Sequence, residues 1–289
     1  HSTRVRVLRR RGVGQVLMAA AGATRIALAR RHALALAVTA GAFVLALGLG
    51  LTRFWGDVES KLFDQLTVAT MPGKSSLPIT IVGIDEASFA QVGKRWPWPR
   101  DLHAQLVDRL AAGGAAVIAF DMIFSEPSEP REDGALAEAV ARAGGVVMAS
   151  DHAYQETALL RQWIRVDPLA EFRAAGAVAG LTTVTLDPDA VIRQVPMGED
   201  IFWRVVIQTL MKARPGAIPA EPVVPQGGFI RHLGPAHTFP YVSYYQVIQG
   251  DPSIPADFFR DQVVLIGRDV RASPEAGAAQ ADMFATPFL

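Results

Sequence analysis

Ile79-Thr80-Ile81-Val82-Gly83-Ile84-Asp85-Glu86 is an apolar, β-branched run closed by two acids. That is the pattern of a buried strand handing the chain to a turn or helix. Downstream, Asp101 to Ala112 carries Leu102, Leu106, Val107 and Leu110 on one helical face and stops at Gly113-Gly114. Ala115 to Phe120 is apolar again. Asp133 is placed to cap a helix bearing Ala135, Leu136, Ala139 and Val140, halted by Gly144-Gly145, and Val146-Val147-Met148-Ala149 supplies a third strand. The order is β-α-β-α-β. Right-handed crossovers predict three parallel, adjacent strands, and with them a three-layer α/β domain around a largely parallel sheet.

Further along, Val178 to Val184 reads as a strand, Asp187 to Arg193 as a turn into another, and Ile201 to Lys212 as a helix with Phe202, Val205, Val206 and Leu210 inward. Phe229-Ile230 begins a short strand, Tyr241 to Ile248 reads as a helix, and Gln262 to Ile266 is a strong strand stopped by Gly267. Thr286-Pro287-Phe288-Leu289 ends in mid-pattern, so a continuation is expected.

Upstream of Ile79 the character changes. Residues 1 to 56 hold nine arginines and no acid, leaving nineteen basic residues against 28 acidic ones elsewhere, a net of −9 hidden under a formal total of zero. So acidic a body repels phosphate, which argues against nucleic acid as its partner. From Ala33 to Leu51 nineteen residues pass without a charge, within the roughly 17–25 that a bilayer core asks of a helix. Arg30 and Arg31 stand before the run; Arg53, Phe54 and Trp55 follow as a snorkelling and aromatic group. Eight arginines precede the run and one follows, so the positive-inside rule puts the amino terminus in the cytoplasm and everything past Trp55 outside. A cleaved signal peptide is the alternative, opposed by the long leader and the lack of an A-x-A-like site. The expected division is a basic leader over 1–32, a transmembrane helix over 33–52 and an extracytoplasmic domain over 53–289. Residues 13 to 29, an apolar stretch interrupted by Arg25, read as a cytoplasmic or interfacial amphipathic helix. Beyond the membrane, Trp55, Val58, Leu62 and Leu66 predict an amphipathic helix that either pairs with a second copy or packs on its own domain.

Open parallel sheets bind ligands beyond the carboxyl ends of their strands. Asp85-Glu86, Asp121 and Asp151 each follow one of the three strands, so their carboxylates are expected to converge on one sheet edge. Such a set suits a divalent cation, or a polar or cationic small molecule; no other cofactor is implied. Alternatively each acid caps a helix or loop, or pairs with Arg100 or Arg193. Trp96-Pro97-Trp98-Pro99-Arg100 is stiffened by two prolines. It either presents an indole or guanidinium to a ligand or packs as a lid, with Arg100 on a carboxylate. Nucleotide and hydrolase motifs are missing: Gly73-Lys74-Ser75 lacks the P-loop's earlier glycine, which is Val68 here, and there is no HExxH or G-x-S-x-G.

Several of these strings, taken in order, resemble the type-2 CHASE domain, the extracellular sensory module of bacterial cyclases and kinases. They are Val82 to Glu86, Trp96 to Arg100 with His103-Ala104, Ala119 to Pro127, Asp187 to Arg193, Val263 to Gly267 and Thr286-Pro287-Phe288. Ala190 departs from the pattern, which usually has glycine there. The resemblance implies an extracytoplasmic cue received at a bacterial inner membrane, a homodimer, and a cytoplasmic cyclase or kinase output. It marks Asp85, Trp98, Arg100, Asp121 and Arg193 as family positions. The candidate ligand-binding residues are therefore Asp85, Glu86, Trp98, Arg100, Asp121, Asp151 and Arg193, with no catalytic residue assigned. A metal-dependent extracytoplasmic enzyme and a dimerisation module without a ligand remain the alternatives.

Overall fold

A computed structural model describes residues 30–156, 160–218, 220, 222–270 and 284–288. The amphipathic helix read over 13–29 lies outside them. Two compact units divide the chain, His1–Asp64 and Gln65–Leu289.

In the first unit, helix α1 (Arg30–Gly50) is long and apolar enough to cross a membrane. Helix α2 (Arg53–Thr70) follows it and runs into the second unit. Its stripe of Trp55, Val58, Leu62 and Leu66 is exposed, Leu62 by 54% and Leu66 by 55%.

The second unit is built on seven strands: β1 (Ile79–Asp85), β2 (Val117–Phe120), β3 (Val146–Glu156), β4 (Arg161–Val166), β5 (Val178–Leu181), β6 (Tyr241–Ser243) and β7 (Val263–Asp269). They are ordered β4-β3-β2-β7-β1-β6, with β5 also paired to β3. Every pairing is parallel except β3 with β4. The expected α/β class is therefore correct, but β1 and β2 are not neighbours: β7 lies between them, bonded to both.

Strand alternation sends side chains to two opposed cores. On one face Val82, Ile84, Ile118, Phe120, Met148, Val264 and Ile266 meet helices α3 (Glu86–Val92), α4 (Arg100–Ala112), α5 (Pro130–Ala143), α6 (Ala170–Ala174) and α8 (Tyr244–Gln249). On the other, Val117, Ala119, Val147 and Val263 meet Val205, Val206 and Leu210 of α7 (Phe202–Ala213). Helices thus cover both sides of the sheet.

Four local readings are corrected. Asp133 does not cap α5; Pro130 starts that helix from Glu129, and Asp133 is buried in its first turn. β3 does not end at Ala149 but runs on to Glu156 as one arm of an exposed hairpin with β4, because Asp151 to Glu156 find ladder partners in Arg161 to Val166. The stretch at Tyr241 begins as a three-residue strand before α8. Around Arg193 and Phe229 the chain forms isolated bridges, Val191 with Ala285 and Gln194 with Phe229, in place of full strands.

Candidate functional site

Near its carboxyl edge the sheet sets four residues in a row. Ser243 of β6 stands beside Gly83 of β1, and Gly83 beside Gly267 of β7. Asp121 completes the row, since Phe120 before it pairs with Ile266. Alternation turns Gly83, Gly267 and Asp121 toward the α7 face, together with Asp85 and Asp269, which pair with each other two residues beyond the glycines. The floor is backbone. Its rim carries an acid from each of the adjacent strands β1, β7 and β2.

Gly83 is glycine because the Tyr241 ring lies on it: a Cβ there would stand 2.7 Å from Cε2 and overlap the hydroxyl. Over Gly267 there is ordinary room, with a Cβ meeting Asp121 Cβ at 3.6 Å.

Asp85 is the most engaged of the acids. It caps α3, accepting from the Ser88 amide at 2.8 Å and the Ser88 hydroxyl at 2.6 Å. Its second oxygen accepts from the Ser243 hydroxyl and lies 3.4 Å from that of Tyr241. Burial pushes the carboxyl up, but the hydrogen bonds from Ser243 and Ser88 more than reverse this and hold it below the ordinary value. Tyr241 moves the other way. Burial, and then the charges of Asp85 and Asp269, drive its phenol far above the ordinary value, so it stays protonated and donates. Asp121 and Asp269 are exposed. Arg268, between Gly267 and Asp269 in β7, alternates to the other face, where its guanidinium rests 5.7 Å from the centre of the half-buried Trp96 ring.

Of the seven residues singled out from sequence, this edge holds Asp85 and Asp121, with Glu86 exposed at the first position of α3. Asp151 lies on the strand next to β2, three residues past the Met148 that pairs with Phe120, within the part of β3 that forms the hairpin, and it accepts from the His152 amide at 2.7 Å. The other three lie elsewhere. Trp98 is 3% exposed, packed on Phe89, Trp96 and Tyr244 with ring centres 5.0–5.4 Å away, and its indole donates to the Lys94 carbonyl at 3.2 Å. Arg100 lies between the Phe124 and Phe172 rings, 3.2 Å from Asp133, and donates to the Glu126 carbonyl. Arg193 is buried in a separate knot with Asp187 and the exposed Asp189. The tryptophan string is thus a packed lid held down by Arg100.

Asp269 is not among the residues expected from the sequence, because a glycine such as Gly267 commonly ends a strand, whereas β7 runs on to Asp269. The signal was an acid two residues past a glycine in β7, the same spacing as Gly83 and Asp85 in β1. An ionised carboxylate only accepts hydrogen bonds. Among the described residues no three or more His, Cys, Asp or Glu side chains are grouped so as to hold a metal ion.

A family model for the CHASE2 domain matches residues 36–289, from within α1 through the whole α/β unit. The chain belongs to the CHASE2 family, a sensory extracellular domain of signalling proteins. No curated protein and no solved structure matches it.

Proposed function

We propose that this chain is the input domain of a membrane-bound bacterial receptor. Its amino terminus lies in the cytoplasm, α1 spans the inner membrane, and the α/β unit receives a small polar cue outside. The observation that carries this reading is the glycine-floored edge where β1, β7 and β2 each present an acid, in a family of sensory domains. The cue carries hydrogen-bond donors, an amine or a polyol, because the acids at this edge are acceptors and Asp121 and Asp269 are exposed. Binding shifts the domain between two packings, and it must prefer one of them for anything to be transmitted. The receptor works as a homodimer with a cyclase or kinase output; the exposed stripe on α2 supports pairing of two copies.

Calorimetric titration of the purified chain with a panel of polyamines, amino acids and sugars tests the site. The expected result is one saturable ligand whose affinity falls at least tenfold in Asp269→Asn, with the melting temperature unchanged. Binding that ignores both Asp269→Asn and Asp121→Asn would remove this edge as the site. Reporter fusions past Trp55 test the orientation, and activity only inside the cell would sink the receptor reading.

A further inference from the structure

Four donors meet the carboxylate of Asp85 at the end of β1. Oδ1 accepts from the Ser88 amide at 2.8 Å and the Ser88 hydroxyl at 2.6 Å. Oδ2 accepts from the Ser243 hydroxyl and faces that of Tyr241 at 3.4 Å. Held below its ordinary value, the carboxyl is ionised at neutral pH. An ionised carboxylate offers about four lone-pair sites, so the protein itself fills them. A cue that donated to Asp85 would first have to displace one of these donors. Asp121 and Asp269, by contrast, are exposed.

The serines carry the influence of Asp85 into a second helix. A hydroxyl has one proton to give and two lone pairs. The fully buried Ser88 gives its proton to Asp85 at 2.6 Å in preference to the Gly83 carbonyl at 3.4 Å, which leaves a lone pair for the Tyr245 amide at 3.3 Å. Tyr245 is the second residue of α8, where an amide has no partner inside the helix. Ser243 is the residue that opens α8, and its own amide donates to Gln246 Oε1 at 3.1 Å. Asp85 therefore caps α3 directly and α8 through hydroxyls whose direction it sets. The first turn of α8 also carries the buried Tyr244, whose ring lies 5.0 Å from Trp98 and whose hydroxyl lies 3.0 Å from His103 Nδ1. One carboxylate thus ties the sheet edge to the middle of the core.

We propose that Asp85 is a positioning residue and not a ligand contact: it is the common cap of α3 and α8, it fixes β6 and α8 against β1, and the cue is met by Asp121 and Asp269. The last clause rests on the acid edge as the binding site; the shared cap stands without it.

Amide NMR of the whole chain in detergent reads the shared cap with no ligand present. As pH falls from about 6 to about 2.5, the Ser88 amide shift follows the ionisation of Asp85, with a midpoint below the ordinary aspartate value of about 3.9. The Tyr245 amide, which does not touch the carboxylate, follows with the same midpoint. Both are flat in Asp85→Asn. In Ser88→Ala the amide at position 88 still titrates and that of Tyr245 does not. A Tyr245 amide that ignores pH in the native chain while Ser88 titrates overturns the shared cap. If acid unfolds the chain first, exchange at neutral pH decides: Asp85→Ala speeds exchange of the Tyr245 amide at least tenfold, and an unchanged rate overturns the proposal. Labelling with a water-soluble carbodiimide and glycinamide tests which acids a solute can reach. Asp269 couples at least tenfold faster than Asp85, and Ser243→Ala narrows that gap; Asp85 coupling as fast as Asp269 in the native chain overturns its assignment as a positioning residue. Neither measurement uses the cue, so a ligand panel without a hit counts against the binding edge and not against the cap.

Discussion

Gly83 and Tyr241 occupy the same space from opposite sides: the phenol of β6 lies where a side chain of β1 would be, and its hydroxyl is thereby brought to Asp85. Gly83→Ala must push the half-buried ring aside. Overpacking of this kind costs about 1–3 kcal/mol. Thermal unfolding should show that loss in Gly83→Ala and should show it largely cancelled when Tyr241→Ala is added; equal losses in both backgrounds would mean that the ring is not what excludes the methyl.

His103 is buried on α4 between Phe120, Phe124 and Tyr244, with Nδ1 3.0 Å from the Tyr244 hydroxyl. Burial, aided by the charge of Arg100, holds its pKa down to about 3. A histidine that is neutral when folded and titrates near 6.5 when unfolded favours the unfolded state once pH drops below that value. Its contribution is complete above about pH 6.5 and is lost as pH falls toward the folded value, at up to about 1.4 kcal/mol per pH unit. Denaturation between pH 4 and 7 should have a shallower pH slope in His103→Gln than in the native chain.

Arg100 and Asp133 form a pair at 3.2 Å with side chains 12% and 5% exposed. Removing one partner strands a buried charge, which costs about 3–5 kcal/mol. Arg100→Met should lose an amount in that range by chemical denaturation, and Arg100→Met with Asp133→Leu should recover most of it. A loss under about 1 kcal/mol in the single variant would show that the pair is hydrated.

Ala190 has φ +62°, in the left-handed region, at the turn inside the Arg193 knot. An L side chain there is strained by roughly 1–2 kcal/mol, offset in part by the greater freedom that glycine restores to the unfolded chain. Ala190→Gly is expected to raise the melting temperature by about 1–3 °C. A fall would show that the methyl contributes packing that outweighs the strain.

The parts of this domain legible in the sequence are those fixed by local periodicity. The apolar runs at Ile79, Val117, Val146 and Val263 are strands, and the helical stripe of Leu102, Leu106 and Leu110 faces the core. Pairing order is not local. Nothing in Gln262 to Gly267 says that this run intervenes between two strands met far earlier in the chain, and with that neighbour unassigned, Asp269 had no place among the acids. Asp133 misled for a different reason: an acid before an apolar run resembles a cap, but Pro130 had already started the helix. The hairpin half of β3 is exposed on both faces, so it lacks the alternation that announces a strand. Asp85 and Asp121 were found because an acid after an apolar run is a short-range pattern. The partners of Arg100 and Arg193 were not assignable from type alone.

The insertion of β7 between β1 and β2 also governs when the domain can take shape. The seam of the sheet is made from residues far downstream of β1 and β2, so the edge that each turns to β7 waits unpaired while the chain up to Val263 is synthesised. Long-range pairing of this kind is slow, and bare edges meanwhile invite wrong neighbours. A nascent chain halted before Val263 has two sheet fragments and an incomplete core.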